Sequence, residues 1–231
     1  MGALIKDFMS NKLRPVLKPR GYVKKGNSFL RQSGDMIYII NIQGSCWNWD
    51  RNEMFYVNVG IVSTSVENAV GHACSIKETS PSKLLFSQVN LRAEELVPIK
   101  NKSYTISETE NADQCLSDII LVDEQFRQIQ CIEDLYPLLS KSHASRCIWE
   151  STYMRYWAIK GDWDKFDKLL EEHARWYQEK GIETLSLKEG KSLCQEFGHK
   201  HPALSPPGLD HCPNTNERVV TKADSMPAGE S

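Results

Sequence analysis

The sequence predicts an α+β fold with an N-terminal helix, an antiparallel strand meander and a helical C-terminal half. Three observations carry this expectation. Leu4, Ile5, Phe8, Met9, Leu13, Val16 and Leu17 form one apolar helical stripe. The period then changes to runs rich in β-branched residues at 36–43 and 55–62. From Ala112 onward helical spacing returns and persists to about Phe197.

The elements follow in order. The first helix covers 3–18, with Pro15 as a candidate kink and Pro19-Arg20-Gly21 as its end. Ser28 to Arg31 forms a short strand, and Gln32-Ser33-Gly34-Asp35 makes a hairpin turn. Met36 to Gln43 and Phe55 to Val62 are the two strong strands. Between them a polar connection, Cys46 to Glu53, holds Trp47 and Trp49. Residues 63–83 read as a loop with a short helix. Leu84 to Leu91 and Ser103 to Ile106 read as further strands.

Ser107 and Glu110 have capping-box spacing, and Cys115, Leu116, Ile119, Ile120 and Phe126 then repeat at helical intervals. A short helix is expected over 132–139, followed by two helices, 145–160 and 163–180, joined at Gly161-Asp162. Ser186 with Glu189 starts a last helix. The stripe Trp149-Tyr153-Tyr156-Trp157 reads as core between packed helices. Residues 201–231 hold five of the ten prolines and no apolar period, so a disordered tail is expected there. The organisation expected is an α+β domain over 1–140, a helical extension over 141–200 packed on the same fold, and the tail.

Composition narrows the class. Of the 231 residues, 40% are hydrophobic and 25% charged, which excludes collagen-like, coiled-coil and wholly disordered chains. No run approaches about 18 apolar residues, so no membrane span and no membrane partner are expected. The N-terminus has no signal-like apolar run, and the seven cysteines are odd in number without C-x-x-C spacing. Reduced thiols and a cytoplasmic location are therefore expected.

The net charge of −2 hides an asymmetry. Residues 1–31 carry eight basic residues against one acidic, and residues 107–135 the reverse. The expected arrangement is two solvated faces, or two faces attracting each other within the fold.

Motifs for chemistry are few. Gly190-Lys191-Ser192 matches the end of a phosphate-binding loop, but Leu185 stands where that loop needs its first glycine. Cys194, His199, His201, His211 and Cys212 are metal-ligand types without paired ligand spacing. No nucleophile elbow or zinc-protease motif occurs, so no cofactor, no metal and no enzyme activity are expected.

The polar set on the strong strands is the most informative. Side chains alternate faces, so Asn41, Gln43 and Ser45 share one face, as do Tyr56 and Asn58 on the next strand. If the register pairs them, amides and hydroxyls converge, with Lys25 and Arg31 on the preceding segment.

These residues also carry a resemblance. Gly21-Tyr22-Val23-Lys24-Lys25-Gly26-Asn27-Ser28-Phe29-Leu30-Arg31 is followed by Ile40-Asn41-Ile42-Gln43-Gly44-Ser45 and then by Phe55-Tyr56-Val57-Asn58-Val59-Gly60-Ile61. Over about residues 3–140 this resembles domain-of-unknown-function family 4304, a mainly bacterial group. Tyr22 stands where that family usually has Phe. Gly44 stands where it often has a basic residue, which weakens a charge-based role for the strand. The resemblance implies a strand meander packed by helices and supplies no activity.

The function expected is a non-enzymatic domain that binds an unknown protein or peptide. The candidate binding residues are Lys25, Arg31, Asn41, Gln43, Ser45, Trp47, Trp49 and Asn58, with the tryptophans at the rim as anchors. Nucleic-acid binding through the basic N-terminal segment is the alternative. A hydrolase or nuclease with dispersed carboxylates is the second alternative.

Overall fold

Five strands hydrogen-bond in chain order, each antiparallel to the next: β1 (Val23–Lys25), β2 (Ser28–Ser33), β3 (Met36–Gly44), β4 (Asn52–Ser63) and β5 (Val89–Arg92). A sixth, β6 (Tyr104–Ser107), pairs with the start of β4 on the side that β5 occupies further along. The computed structural model describes residues 2–46, 48, 52–72, 74–85, 88–107, 113–139, 141–142, 146–179 and 186–200.

The fold is α+β, as the periodicity predicts. Helix α1 runs through four consecutive segments, Ala3–Asp7, Phe8–Leu13, Arg14–Leu17 and Lys18–Arg20. Its middle is a π turn, in which the N–H of Arg14 donates to the carbonyl of Met9. Pro15 has no N–H and its ring crowds the preceding turn, and the wider π spacing lets the helix continue past it. Ile5, Phe8, Met9, Leu13 and Leu17 are buried against the sheet. The buried carboxylate of Glu53, reaching over from β4, accepts the N–H groups of Leu4 (3.1 Å) and Ile5 (2.9 Å) and so caps the helix.

The two sheet faces differ in what covers them. One face presents Phe29, Tyr38, Ile40, Ile42, Phe55, Val57, Val59, Ile61, Val89 and Leu91 to the main core. Helix α1 packs there, together with Cys115, Ile119, Val122 and Phe126 of a helix at Asp113–Gln128 (below, α5). The other face carries a smaller cluster, Leu30, Ile37, Ile39 and Val62, covered by Leu84 and Leu85.

Those two leucines correct the expected strand over Leu84 to Leu91. After α2 (Thr64–Ala69), a short helix α3 occupies Pro81–Leu85, and the strand begins only at Val89. Pro81 suits a first helical turn, and Ser80 Oγ accepts the N–H of Lys83 (3.3 Å). The helical turn lays both leucines on the sheet. Gly60 makes room for it, since a Cβ there would sit 3.0 Å from Leu85 Cδ1.

The hairpin between β2 and β3 is anchored by Asp35. Its Oδ1 accepts Thr64 Oγ1 and the N–H of Ser65, both at 2.7 Å, and its Oδ2 accepts Ser63 Oγ (2.5 Å) and Ser65 Oγ (2.8 Å). Partial burial pushes this carboxyl up, but the hydrogen bonds from Ser63, Thr64 and Ser65 outweigh it and hold the pKa below 3.8. A depressed folded-state pKa gives stability that is complete above the unfolded value and is lost as pH falls through the folded one. Asp35→Asn is therefore expected to flatten the acid limb of a urea-midpoint profile below about pH 4. An unchanged acid limb in Asp35→Asn would remove Asp35 as its source.

Beyond α4 (Ala93–Leu96), β6 and α5, a 3₁₀ turn at Glu133–Leu135 leads into α6 (Tyr136–Leu139). Three helices complete the described chain: α7 (Arg146–Lys160), α8 (Trp163–Glu179) and α9 (Ser186–Phe197). Tyr153, Met154, Tyr156, Trp157, Phe166, Leu170 and Leu193 belong to the same core cluster as the sheet. The side chain of Trp149, the other member of the aromatic stripe, lies outside the described residues. The phosphate-loop-like Gly190-Lys191-Ser192 lies inside α9, and a Cβ on Gly190 would come within 2.5 Å of Leu170 Cδ1. Close helix packing accounts for that glycine.

Gln88 joins these helices to the sheet. It is fully buried and pairs with the backbone of Ser63 as a strand would, accepting its N–H and donating to its carbonyl, each at 3.0 Å. The same amide donates to Glu67 (2.9 Å) and accepts Tyr153 Oη from α7 (2.9 Å). The expected tail, 201–231, and the capping glutamate Glu110 lie outside the described residues. No helix among the described residues is long and apolar enough to cross a membrane.

Candidate functional site

The second sheet face changes character along a single row. On its apolar part, Leu30, Ile39 and Gly60 lie beneath α3. Two residues further along each strand, Ser28 faces Asn41, Asn41 faces Asn58, and Asn58 faces Arg92. Directly opposed residues project to the same side, so one polar row crosses four strands. Gln43 and Tyr56, opposed in the next pair on that face, extend it.

Hydrogen bonds run the length of the row. Asn41 Nδ2 donates to Ser28 Oγ (2.8 Å). Asn58 Nδ2 donates to Asn41 Oδ1 (3.2 Å) and to Gln43 Oε1 (3.0 Å). Arg92 Nη1 donates to Asn58 Oδ1 (2.7 Å) and to Gln43 Oε1 (3.3 Å), and its guanidinium lies 4.7 Å from the centre of the Tyr56 ring.

This wiring is polarised. The three amide oxygens of Asn41, Asn58 and Gln43 all accept within the row. Left over are donors: Gln43 Nε2 and the Nε and Nη2 groups of Arg92 make no hydrogen bond among the described residues. Ser28, Asn41, Asn58 and Gln43 of the row form the floor of a cleft of about 470 Å³, with Lys25 and Asn27 beside them and Pro81, Ser82 and Leu85 of α3 as one wall, while Arg92 and Tyr56 continue the row beyond the cleft lining. Such a surface suits a ligand that brings acceptors and some apolar area.

The candidate residues divide accordingly. Asn41, Gln43 and Asn58 meet in the cleft. Lys25 lines it, but its ammonium is spent on the carbonyls of Ile76 and Lys77 (3.0 Å to the latter), tying that loop to β1. Ser45 follows the end of β3, where its N–H donates to the Met54 carbonyl (2.8 Å), and it does not line the cleft. Trp47 and Trp49 lie outside the described residues. Arg31 is opposed to Tyr38 and so projects to the other face, away from this row.

Three members were absent from the candidate binding residues: Ser28, Arg92 and Tyr56, the last noted only for sharing a face with Asn58. Arg92 ends the period-two run Gln88, Asn90, Arg92, which marks a strand face. Nothing local says which strand it will join.

Two other features bear on the sequence reading. Of the scattered metal-ligand types, His199 stacks on Trp163 with ring centres 4.2 Å apart and pairs with Asp167 at 2.8 Å. Among the described residues no group of three His, Cys, Asp or Glu side chains is placed to hold a metal. The charge asymmetry is partly internal. Asp123 of α5, fully buried, meets Arg20 (3.2 Å) and Arg31 (3.3 Å) from the basic segment.

A family model described as domain of unknown function (DUF4304) matches residues 13–130. That span holds the whole polar row. No curated protein and no solved structure matches the chain.

Proposed function

Because the chain belongs to the DUF4304 family, whose description names no activity, its function has to be read from the site, and we propose that it is a non-enzymatic interaction domain binding a protein or peptide segment. The ligand lies along the polar row and offers it backbone carbonyls or carboxylates. The observation that carries this reading is the donor surplus at Gln43 and Arg92 above a row in which each amide oxygen already accepts at least one bond. Leu85 and Pro81 supply the apolar wall that a peptide side chain needs. A cytoplasmic location belongs to the same proposal and stands on the cysteine pattern.

Binding of nucleic acid is less well supported. Of the eight cations in residues 1–31, Arg20 and Arg31 pair with Asp123 and Lys25 holds loop carbonyls. No salt-dependent mobility shift of duplex or single-stranded DNA is expected at low salt. A shift that collapses steeply as salt rises would favour that alternative.

The direct test is selection from a displayed random-peptide library. Peptides enriched in Asp and Glu, or bound by their C-terminal carboxylate, are expected. Arg92→Ala should weaken the selected peptides by roughly tenfold, because a charge-assisted donor is lost. Peptides that bind wild type and Arg92→Ala equally would place recognition elsewhere.

A further inference from the structure

The structure assigns a second site, an anion-binding centre for a phosphate monoester, built around Arg31 and Arg127 on the sheet face opposite the polar row. It does not rest on the peptide-binding reading. Its starting point is an imbalance of charge. Three guanidiniums converge on the one carboxylate of Asp123: Arg20 at 3.2 Å, Arg31 at 3.3 Å and Arg127 at 3.1 Å. Tyr22 Oη donates to the same carboxylate at 2.9 Å. Three positive charges against one negative leave a surplus of two.

Arg31 is the under-used member. Its side chain is only 9% exposed. It lies over the rings of Tyr22 and Tyr38, at 5.2 and 4.7 Å from their centres. Its contact with Asp123 is an ion pair without hydrogen-bond geometry, and buried Nε and Nη2 have no acceptor. Buried donors are almost always satisfied, because leaving one bare costs the desolvation of the group. Nε and Nη2 have no accessible surface of their own, so an acceptor from outside meets them only when the Arg31 side chain turns toward the cavity it lines.

A place for that acceptor adjoins it. A cavity of about 360 Å³ is lined by Arg31, Arg127, Ser33, Gly34, Tyr38 and Gln130. Arg127 donates through Nε and Nη2 to Asp123 Oδ2 (3.2 and 3.1 Å), which leaves its Nη1 edge and the Ser33 hydroxyl as donors for an anion, and a guanidinium edge matches the oxygens of phosphate. Another carboxylate, Asp134, acts electrostatically on Tyr38 and accepts the backbone N–H groups of Gln130 (2.8 Å) and Cys131 (3.1 Å), which keep it ionised. With Asp134 counted, one positive charge remains, and a phosphate monoester offers it a charged group with three acceptor oxygens.

Three probes carry the same dianion on different bodies: inorganic phosphate, a nucleoside monophosphate and a phosphoserine peptide. Calorimetry and phosphorus NMR on the full chain are expected to show saturable binding of at least one of them. The tightest binder identifies the body the site accepts. Arg127→Gln should weaken it at least tenfold. Ser33→Glu, an exposed change that puts a carboxylate at the cavity rim, should do the same without touching the buried pair. Circular dichroism and melting confirm that both variants are folded. The assignment is overturned if none of the probes saturates below about 10 mM. It is equally overturned if both variants bind as wild type does.

Discussion

Asp123→Ala is expected to destabilise the protein by about 4 kcal/mol, seen as a fall in melting temperature of about 10 °C. The carboxylate is fully buried and is the common partner of Arg20, Arg31, Arg127 and Tyr22. Removing it strands Arg31 in particular, which is buried and has no other ion pair among the described residues. Arg20 and Arg127 keep access to water, with side chains 32% and 49% exposed, and suffer less. Arg127→Ala alone should therefore cost below about 1 kcal/mol. Asp123→Leu combined with Arg31→Met should lie closer to wild type than the sum of the two single changes, since a buried pair is replaced together. An Asp123→Ala melting temperature within a degree or two of wild type would show that solvent reaches Arg31 after all.

Gln88→Leu is expected to cost about 3 kcal/mol or more, although leucine is similar in size and apolar. The amide holds four partners: the N–H and carbonyl of Ser63, Glu67 and Tyr153 Oη. All four lose this bond at once in a buried region. Tyr153→Phe removes only one of these bonds and should cost about 1 kcal/mol. The two variants also separate two consequences. Gln88→Leu should loosen both the β4–α2 corner and the seat of α7, whereas Tyr153→Phe should loosen α7 alone. Hydrogen exchange on the amides of α2 (Thr64–Ala69) and α7 (Arg146–Lys160) reads this difference. Equal exchange of α2 in both variants would refute it.

Much of the fold was legible in the chain. The apolar stripe of α1, the alternation of β3 and β4 and the helical spacing of α5, α7 and α8 are local patterns, and each element forms where its period says. Leu84 and Leu85 show the limit. A short apolar run fits a strand or one helical turn, and the sheet beneath it, open at Gly60, decides in favour of the turn. Asp118 and Asp123 show another limit. Within α5 they read as solvated charges, yet both are buried because Tyr104, Arg20 and Arg31 reach them from distant strands and turns.

The candidate site divides along the same line. Alternation alone placed Asn41 with Gln43, and Tyr56 with Asn58. It could not place Arg92 beside them, or turn Arg31 away from them, because those outcomes depend on pairing between strands far apart in sequence. The sequence by itself determined the types of the long elements and the polar faces of the two strong strands, since these follow from side-chain periods of two and 3.6 residues, and its motifs pointed to the family. Only the tertiary structure decided which charges are internal and which donors remain for a ligand. Burial and hydrogen-bond partners are properties of long-range register, and register is settled when the whole core packs.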